Sequence, residues 1–545
     1  MRKKWALVAL GAIFFIFTFV MVLSPFNVAE AKTKYVVAWY ADPGAGMNPF
    51  LARAHSDYIF IPWMYEPMNI ETWDGKLIPW LAKSWEYKDA TMEWIFHIDE
   101  RARWSDGKPV TAEDVKFTFD VAHKYDAVVG NPTKKHVDAI RVVGERSVAF
   151  KLNETLAAFP STAGQVLIVP KHRWSNVGDV TKYTNPNPLG SGPFKFKEFK
   201  PRTYLALEKN ELYWQGPSDI DELVVRVFSN MQAEIQALQK GEVDFIPDLA
   251  GVENLLRRLS ADKNVNVQMG MTNNTFYVAS NYRREPLKNK QLRQALDYAA
   301  PKERIVTIAL AGYGELPLMG YFAPVVKKWV NPTVTWEGRK IEEEVRIKKA
   351  NEILDGLGWK KGPDGVRVTT DGTKLEYRIK CMNDPAFIRT AEMVKDNWAK
   401  IGVKLKVQVH DRRTLYGGIV FGGKSTKDWD FLLHRSVLRP DPDHIAREYA
   451  PEPPQSWYNA TAFAWENDEM QTILKKSRRE MDEAKRIMMI KKFQEMFADE
   501  LVVIPLAHKH MGFAYRTDRF VNTNEFDVYT SLIPLVNVVG MKLKK

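Results

Sequence analysis

Aromatic and hydrogen-bonding side chains that could hold a ligand without reacting with it are the clearest chemistry in this sequence. The chain has 17 Trp and 20 Tyr among its 545 residues. The candidate binding residues combine rings with Asn, His and Arg: Trp39, Tyr40, Asn48, Trp63, Trp73, His434, Arg435, Trp457 and Tyr458. Ring faces stack on apolar C–H surfaces, and the polar groups bind hydroxyl, amino or carboxylate groups. For each aromatic residue a place in the hydrophobic core is an equally good interpretation, because large rings dominate cores.

Motifs for catalysis or metal binding do not stand out. The sequence has no Gly-x-Ser-x-Gly elbow, no His-Glu-x-x-His and no Walker loop. Gly190 and Gly192 resemble the start of a phosphate loop, but its further glycines and its Lys-Ser/Thr are missing. His508 and His510 are the closest histidine pair, and such a pair is more typical of a strand or loop surface than of a metal site. We therefore predict no catalytic residue, no metal and no cofactor, and keep a glycosidase with two facing carboxylates as a further alternative.

The elements that must position the candidate residues follow an α/β rhythm. Lys34 to Trp39 reads as a first strand, and Val403 to Val409 alternates like a later one. The run from Ala233 to Lys240 predicts a helix that stops at Gly241, before another short strand. Further runs with apolar residues at helical spacing come before the strand predicted from Val403 to Val409. Strand–helix–strand units of this kind predict a mostly parallel sheet covered by helices.

A second group of signals lies between residues 93 and 122. Glu93 to Ile98 alternates like a half-buried strand, and Asp106-Gly107 is a turn signal. Thr111 to Asp114 reads as a helix N-cap with an acidic residue three places on. The predicted helix then places three apolar side chains on one face: Val115, Phe119 and Ala122.

The amino-terminal segment has the pattern of a secretory signal. Arg2 to Lys4 is basic, Trp5 to Leu23 is uncharged and mostly apolar, and Ala29-Glu30-Ala31 offers a cleavage site. We predict a cleavable signal peptide over residues 1–31; the alternative is an uncleaved membrane anchor. The single cysteine, Cys381, lies far from the cleavage site, which excludes lipid attachment there and an internal disulfide. The protein is therefore expected in the periplasm, and not as a lipoprotein.

The charge pattern bears on possible partners. The formal net charge is +11. Lys and Arg are interleaved with Asp and Glu, as on a solvated surface, and form no dense basic cluster. We therefore expect no nucleic-acid partner.

Literal runs of residues add a resemblance to these patterns. Leu81 to Glu86, Trp94 to Ile98 and Trp104 to Val115 resemble the signature block of the large extracytoplasmic solute-binding proteins of the oligopeptide/dipeptide (family 5) type, which feed ABC importers. Residues 187–249, and Arg293 to Ala299, continue the resemblance. The Asp that usually follows the latter run is absent here. The resemblance covers nearly the whole chain after the signal segment.

The resemblance implies a fold and a mode of action. The fold is α/β and periplasmic-binding-protein-like, with two lobes, a hinge and a subdomain inserted in the first lobe. The implied boundaries are residues 32–66, 187–271 and 511–545 for the first lobe, 67–186 for the inserted subdomain and 272–510 for the second lobe. The implied protein is a monomer and not an enzyme. It closes on a small-molecule ligand and delivers it to the membrane permease subunits. A sensory or chaperone-like binder with no transporter is an alternative.

One departure from the peptide-binding pattern bears on the ligand. Peptide binders of this type resemble one another in carrying a second-lobe Asp that pairs with the peptide's amino group. Counted back from Asp441-Pro442, that position is Leu438; counted forward from Asp430, it is Arg439. Neither is acidic, so a peptide ammonium would lack its charge-assisted partner.

This departure and the many tryptophans favour a neutral oligosaccharide, whose rings would stack on indoles. Tyr40 and Asn48 follow the first strand, where the resemblance places ligand-facing loops. A peptide is the alternative: Asp441 or Asp443 would bind its amine and Arg435 its carboxylate.

Overall fold

The computed structural model describes residues 32–43, 46–52, 55–72, 74–127, 131–249, 253–420, 428–437, 439–450, 462–522 and 541–544. The predicted signal peptide lies outside these residues. So do four positions singled out above: Trp73, Leu438, Trp457 and Tyr458.

The β-strands alternate with helices along most of the described chain. The strands are β1 (Lys34–Trp39), β2 (Asn69–Glu71), β3 (Leu77–Pro79), β4 (Ala82–Lys88), β5 (Glu93–Ile98), β6 (Val137–Val142), β7 (Ser147–Leu152), β8 (Phe194–Lys200), β9 (Tyr204–Lys209), β10 (Glu222–Val227), β11 (Phe245–Ile246), β12 (Val265–Ser280), β13 (Gly314–Glu315), β14 (Lys360–Lys361), β15 (Arg367–Val368), β16 (Glu376–Met382), β17 (Lys404–His410), β18 (Phe431–Val437), β19 (Val503–Arg516), β20 (Phe520–Asn522) and β21 (Met541–Leu543).

The α-helices cover both faces of the main sheet. They are α1 (His55–Phe60), α2 (Ala112–Lys124), α3 (Asn131–Lys134), α4 (Phe159–Ala163), α5 (Lys171–Trp174), α6 (Met231–Lys240), α7 (Glu253–Leu259), α8 (Lys290–Tyr298), α9 (Lys302–Arg304), α10 (Glu343–Gly356), α11 (Pro385–Ala399), α12 (Asp443–Tyr449), α13 (Asp468–Arg479) and α14 (Glu483–Glu500).

One continuous sheet organises both lobes, in the order β17-β16-β18-β12-β19-β11-β1-β10-β9-β8. We call the part formed by β8 to β11, β1 and the end of β19 the first lobe. The part formed by β16 to β18 and the end of β12 is the second lobe. The expected α/β fold with two lobes is therefore confirmed, but the sheet is mixed rather than mostly parallel. Its antiparallel pairs are β8–β9, β9–β10, β11–β19, β12–β18, β13–β19 and the crossing pair β12–β19.

The crossing pair forms the connection between the lobes. At one end Val265 of β12 pairs with Arg516 of β19, and at the other Ala279 pairs with Val503. The register shifts between Met271 and Thr275, near the middle of the pair. The lobes are thus joined by two long antiparallel strands that are irregular halfway along, which is the geometry of a double-stranded hinge.

The inserted subdomain is a separate four-stranded sheet, ordered β4-β5-β7-β6. The signals that predict it are confirmed in detail. The β5 strand spans Glu93–Ile98, and the N-cap Thr111 forms a reciprocal capping box with Asp114 at the start of α2. The three apolar residues of the predicted helix face are fully buried, together with Trp104. The residue boundaries given above for the two lobes and the inserted subdomain stay predictions.

The subdomain also contacts the second lobe. The Ala157 backbone N–H donates to the Arg478 carbonyl at 2.9 Å, and the Arg479 guanidinium binds the Glu154 carboxylate at 2.7 Å. These contacts place the subdomain beside the end of α13.

Candidate ligand cleft

The first lobe presents the carboxyl ends of three parallel strands at one edge of its sheet. Val227 of β10 pairs with Trp39 of β1, and Phe245 of β11 pairs with Val37, so the strands end nearly level. Tyr40 comes directly after β1, and Asp248 lies two residues beyond the end of β11. Ligand sites of open α/β sheets lie outside such carboxyl ends.

The second lobe has a matching edge. Strand β16 is parallel to both β17 and β18, so the carboxyl ends of these strands also meet. Arg412 follows β17, while His434 and Arg435 lie near the end of β18. A π-helical segment, Arg413–Val420, begins directly after Arg412. Irregular helices of this type are frequent at functional sites.

Charged residues from both edges affect the pKa of the Tyr40 hydroxyl. Its pKa is raised by partial loss of water contact, then by Asp248 and Glu234 of the first lobe, whereas Arg412 and Arg435 of the second lobe lower it. The side chain is 47% exposed. Acidic groups of one lobe and basic groups of the other therefore both lie close enough to Tyr40 to affect its pKa, and we take these residues as the candidate ligand cleft.

His434 is a neutral side chain on the second-lobe wall. Burial, with Arg435 and Arg412 nearby, lowers its pKa to about 3. The Arg435 backbone N–H donates to His434 Nδ1 at 2.6 Å, and the Tyr416 hydroxyl lies 3.3 Å from the same atom. The ring packs between Tyr277 and Tyr416, with centroid distances of 5.3 and 5.0 Å. His434 thus shapes the wall and carries no charge near neutral pH.

Arg435 differs from its neighbour in the contacts of its side chain. Its guanidinium makes no hydrogen bond or ion pair with another described residue. The side chain is half-buried. A half-buried cation with its donors unused is well suited to bind an anionic group of a ligand.

Glu234 supplies a buried acid on the first-lobe side. It lies in the first turn of α6, a helix capped by the Asn230 side chain, which accepts from the Ala233 N–H. The residue is 0% exposed. Among the described residues, neither carboxylate oxygen has a hydrogen-bond partner. Burial, and then the nearby Asp248, raise its pKa to about 8.

Three candidates from the sequence have clear structural roles. Trp39 and Trp63, 1% and 0% exposed, pack in the core of the first lobe. Asn48 caps the short helical turn Pro49–Leu51 and donates to the carbonyls of Val180 and Tyr183 at 2.8 and 2.7 Å. The structure therefore favours the core interpretation for both tryptophans and a structural role for Asn48. The candidates that it brings together at the cleft are Tyr40, His434 and Arg435.

The structure adds Glu234, Asp248 and Arg412 to the cleft, none of which we selected from the sequence. Asp248 and Arg412 could have been selected from the sequence, because each stands two residues beyond the end of a strand at the binding edge. Nothing in the sequence marks Glu234 as a binding residue, because the helix dipole alone makes an acidic residue common in the first turn of a helix.

The two second-lobe acids offered above for a peptide amine are engaged elsewhere. Asp441 accepts two hydrogen bonds from Arg486, at 2.9 and 2.6 Å. Asp443 accepts from Arg478 at 2.6 Å and pairs with Arg447 at 3.1 Å. Burial alone would raise the pKa of Asp443, but the arginines lower it overall. Both acids therefore serve the packing of the second lobe.

A separate cavity of about 540 Å³ lies between the inserted subdomain and the second lobe. Its walls include three indoles, Trp85, Trp94 and Trp329, and the carboxylates of Glu71 and Asp441. Burial, with Asp441 nearby, raises the pKa of Glu71 to about 7. Ser161 and Gln165 donate to this carboxylate at 3.0 and 2.8 Å, which gives it a structural role in the subdomain.

The described residues lack two further features. They contain no group of three or more His, Cys, Asp or Glu side chains arranged to hold a metal ion. No helix among them combines the length and the apolar character needed to cross a bilayer.

Known proteins resemble this chain over most of its length. The Oligopeptide-binding protein AppA of Bacillus subtilis (strain 168) is 29% identical over 364 residues, which are 64% of this chain and 63% of that protein. The chain thus spans less than two thirds of that relative. Di/tripeptide-binding protein 1 of Pseudomonas aeruginosa (strain UCBPP-PA14) is 25% identical over 466 residues, 79% of this chain and 81% of that protein.

Solved structures agree with the fold. The periplasmic oligopeptide-binding protein of Thermotoga maritima superposes with a TM-score of 0.81, at 23% identity, covering 94% of this chain and 100% of that one. Its mannohexaose-bound form gives a TM-score of 0.75, at 24% identity, covering 94% and 99%.

The match to a family model shows the protein family. Residues 76–485, three quarters of the chain, match the model of the bacterial extracellular solute-binding proteins, family 5 middle. The chain therefore belongs to the family 5 bacterial extracellular solute-binding proteins.

Proposed function

We propose that this protein is the peptide-binding component of an ABC importer. It acts in the periplasm as a monomer, after removal of residues 1–31, and passes its ligand to membrane permease subunits. It binds its ligand and does not transform it.

The observation that carries the peptide proposal is the opposition of charges across the cleft. Glu234 and Asp248 lie on the first lobe, and Arg412 and Arg435 lie on the second. A peptide is a zwitterion, so its ammonium and carboxylate groups match the two walls. A neutral sugar carries no charged group to complement either wall. Two relatives named for oligopeptide and for di/tripeptide binding support the same choice.

The preference for an oligosaccharide, drawn above from the sequence, now has less support. It depended on the missing second-lobe Asp and on indoles at the cleft, and of those indoles Trp39 and Trp63 are core residues. One observation keeps it as the second candidate: the Thermotoga maritima protein, named as oligopeptide-binding, also has a structure with bound mannohexaose.

A thermal-shift screen of the protein lacking residues 1–31 tests the proposal. The panel contains peptides of two to nine residues and manno-, cello- and malto-oligosaccharides of two to six units. A ligand that binds only the folded state raises Tm by mass action. We expect shifts with peptides; shifts with oligosaccharides alone would overturn the proposal and favour the second candidate.

A further inference from the structure

Glu234 is an anomaly among the buried acids of this protein. In the described part of the chain it is the one buried carboxylate with neither oxygen hydrogen-bonded. Glu66, equally buried, accepts from the side chains of Trp80, Tyr213 and Trp214. Burying a polar group without a partner costs free energy, so folding alone gives no reason for an acid at position 234.

The place of Glu234 in the fold points to the ligand as its partner. Its helix, α6, starts at the carboxyl edge of β10 and ends beside β11. Asp248 and Tyr40 share that edge, and Glu234 acts electrostatically on Tyr40, the residue reached by both lobes. Opening of the hinge separates this edge from the second lobe and gives a ligand access to it.

The chemistry of the pair selects one kind of group. Two neighbouring carboxyls repel each other when both are ionised, and a cation between or beside them relieves that repulsion. The opposite wall carries Arg412 and Arg435, so a cation belongs on the Glu234 side and an anion on the arginine side. The second-lobe acids Asp441 and Asp443 are already held by arginines.

We propose that Glu234, with Asp248 beside it, is a cation subsite of the first lobe that takes an ammonium or guanidinium group of the bound peptide. This inference rests on the proposed function. The cation has two sources, the peptide's amino terminus or a Lys or Arg side chain, and both share the same hydrogen-bonding chemistry.

The test uses an equimolar library of random tetrapeptides, made once with free amino termini and once fully Nα-acetylated. Wild type, Glu234→Gln, Asp248→Asn and the control Glu242→Gln are equilibrated with each library by dialysis. Retained peptides are identified by mass spectrometry. Glu242 is a matched control because it lies just past the other end of α6, is exposed, and pairs only loosely with Arg226 at 3.8 Å. Circular dichroism establishes that each variant is folded, and Asp248→Asn provides a second route if Glu234→Gln is not.

We expect the wild type and the control to retain free-amine peptides, and Glu234→Gln to retain them about tenfold less, the cost of one charge-assisted contact. Loss of retention on acetylation identifies the amino terminus as the cation. Retention of acetylated peptides enriched in Lys or Arg identifies the side chain. If Glu234→Gln and Asp248→Asn retain the same peptides as the wild type, the subsite is overturned and the proposed function stands. If the wild type retains no peptide, the proposed function fails and the subsite fails with it.

Discussion

Arg486 and Asp441 form a bidentate ion pair inside the second lobe, with hydrogen bonds of 2.9 and 2.6 Å. The guanidinium also packs over the Trp329 ring, 4.9 Å from its centroid. The pair ties the start of α14 to the segment before α12. Asp441 is therefore a structural partner of Arg486, although its position in the sequence made it a candidate for the ligand amine.

Replacing Asp441 should show whether it stabilises the second lobe or binds the ligand amine. Asp441→Asn leaves Arg486 buried without its counter-charge, so we expect the free energy of unfolding to fall by about 3 kcal/mol. Peptide affinity should be unchanged. Urea unfolding and calorimetric titration measure the two effects. Asp428→Asn is the control: Asp428 binds Arg378 at 2.7 Å but is exposed, so its loss should cost less than about 1 kcal/mol. Lost peptide binding at unchanged stability would place Asp441 at the ligand instead.

Glu66 is the partner of three donors that join the inserted subdomain to the first lobe. Its carboxylate accepts from Trp80 Nε1 at 2.8 Å, the Tyr213 hydroxyl at 2.8 Å and Trp214 Nε1 at 2.9 Å. Glu66→Gln replaces an acceptor oxygen with an NH₂ group that faces these donors. We expect a loss of about 2 kcal/mol in the free energy of unfolding, measured in urea. The exposed Glu211→Gln should be neutral, and equal stability of the two variants would contradict the structural role of Glu66.

Arg435 should contribute to ligand binding and not to folding. Its guanidinium has no hydrogen bond or ion pair to the rest of the described protein, so Arg435→Gln should leave the free energy of unfolding unchanged. We expect it to weaken peptide binding about tenfold, because a charge-assisted contact to a carboxylate is lost. Calorimetric titration with peptides that carry free and amidated carboxyl termini checks the cause. If the arginine binds the carboxylate, amidation should weaken binding to the wild type more than to the variant.

Glu234 should make the ligand-free protein less stable as pH rises. Its pKa is raised to about 8 in the folded protein by burial and by Asp248, whereas an exposed Glu titrates near 4.5. The protonated carboxyl is therefore favoured by folding. Its contribution is complete below about pH 4.5 and is lost as pH rises through about 8, with a slope on the order of 1 kcal/mol per pH unit. Urea unfolding at pH 5, 6, 7 and 8 should show a flatter profile for Glu234→Gln than for the wild type. The titratable groups that interact with it, Asp248 and Tyr40, are unchanged in that comparison. Parallel profiles would contradict the raised pKa.

The sequence predicts the local structure well where side-chain pattern and local geometry agree. The strand β1, the strand β5, the capping box at Thr111 and the end of α6 at Gly241 all follow from signals within a few residues. Gly190 and Gly192 are different. A Cβ at either position would lie within 2.4 Å of the Met64 or Trp63 carbonyl oxygen. These glycines allow two distant segments to approach closely, which no local pattern reveals.

The cleft was only partly predictable for the same reason. Tyr40 and Arg435 follow from their places after or within a strand. Whether an aromatic residue faces the core or the cleft depends on which side of the folded sheet it occupies. Trp39 is buried in the core, whereas its neighbour Tyr40 is exposed. Glu234 is identified as unusual only by its missing partners, and these are a property of the three-dimensional structure.

The crossing of β19 between the lobes also constrains the order of assembly. In the first-lobe sheet, β11 pairs with β1 on one side and with Tyr515 and Ala514 of β19 on the other. That part of the sheet joins segments from near both ends of the chain. A growing polypeptide therefore cannot complete its first lobe until almost all of it has been synthesised, and such non-local pairing is intrinsically slow. The same arrangement that couples the lobes in the finished protein keeps the nascent chain open, and within reach of chaperones, until its last long strand is made.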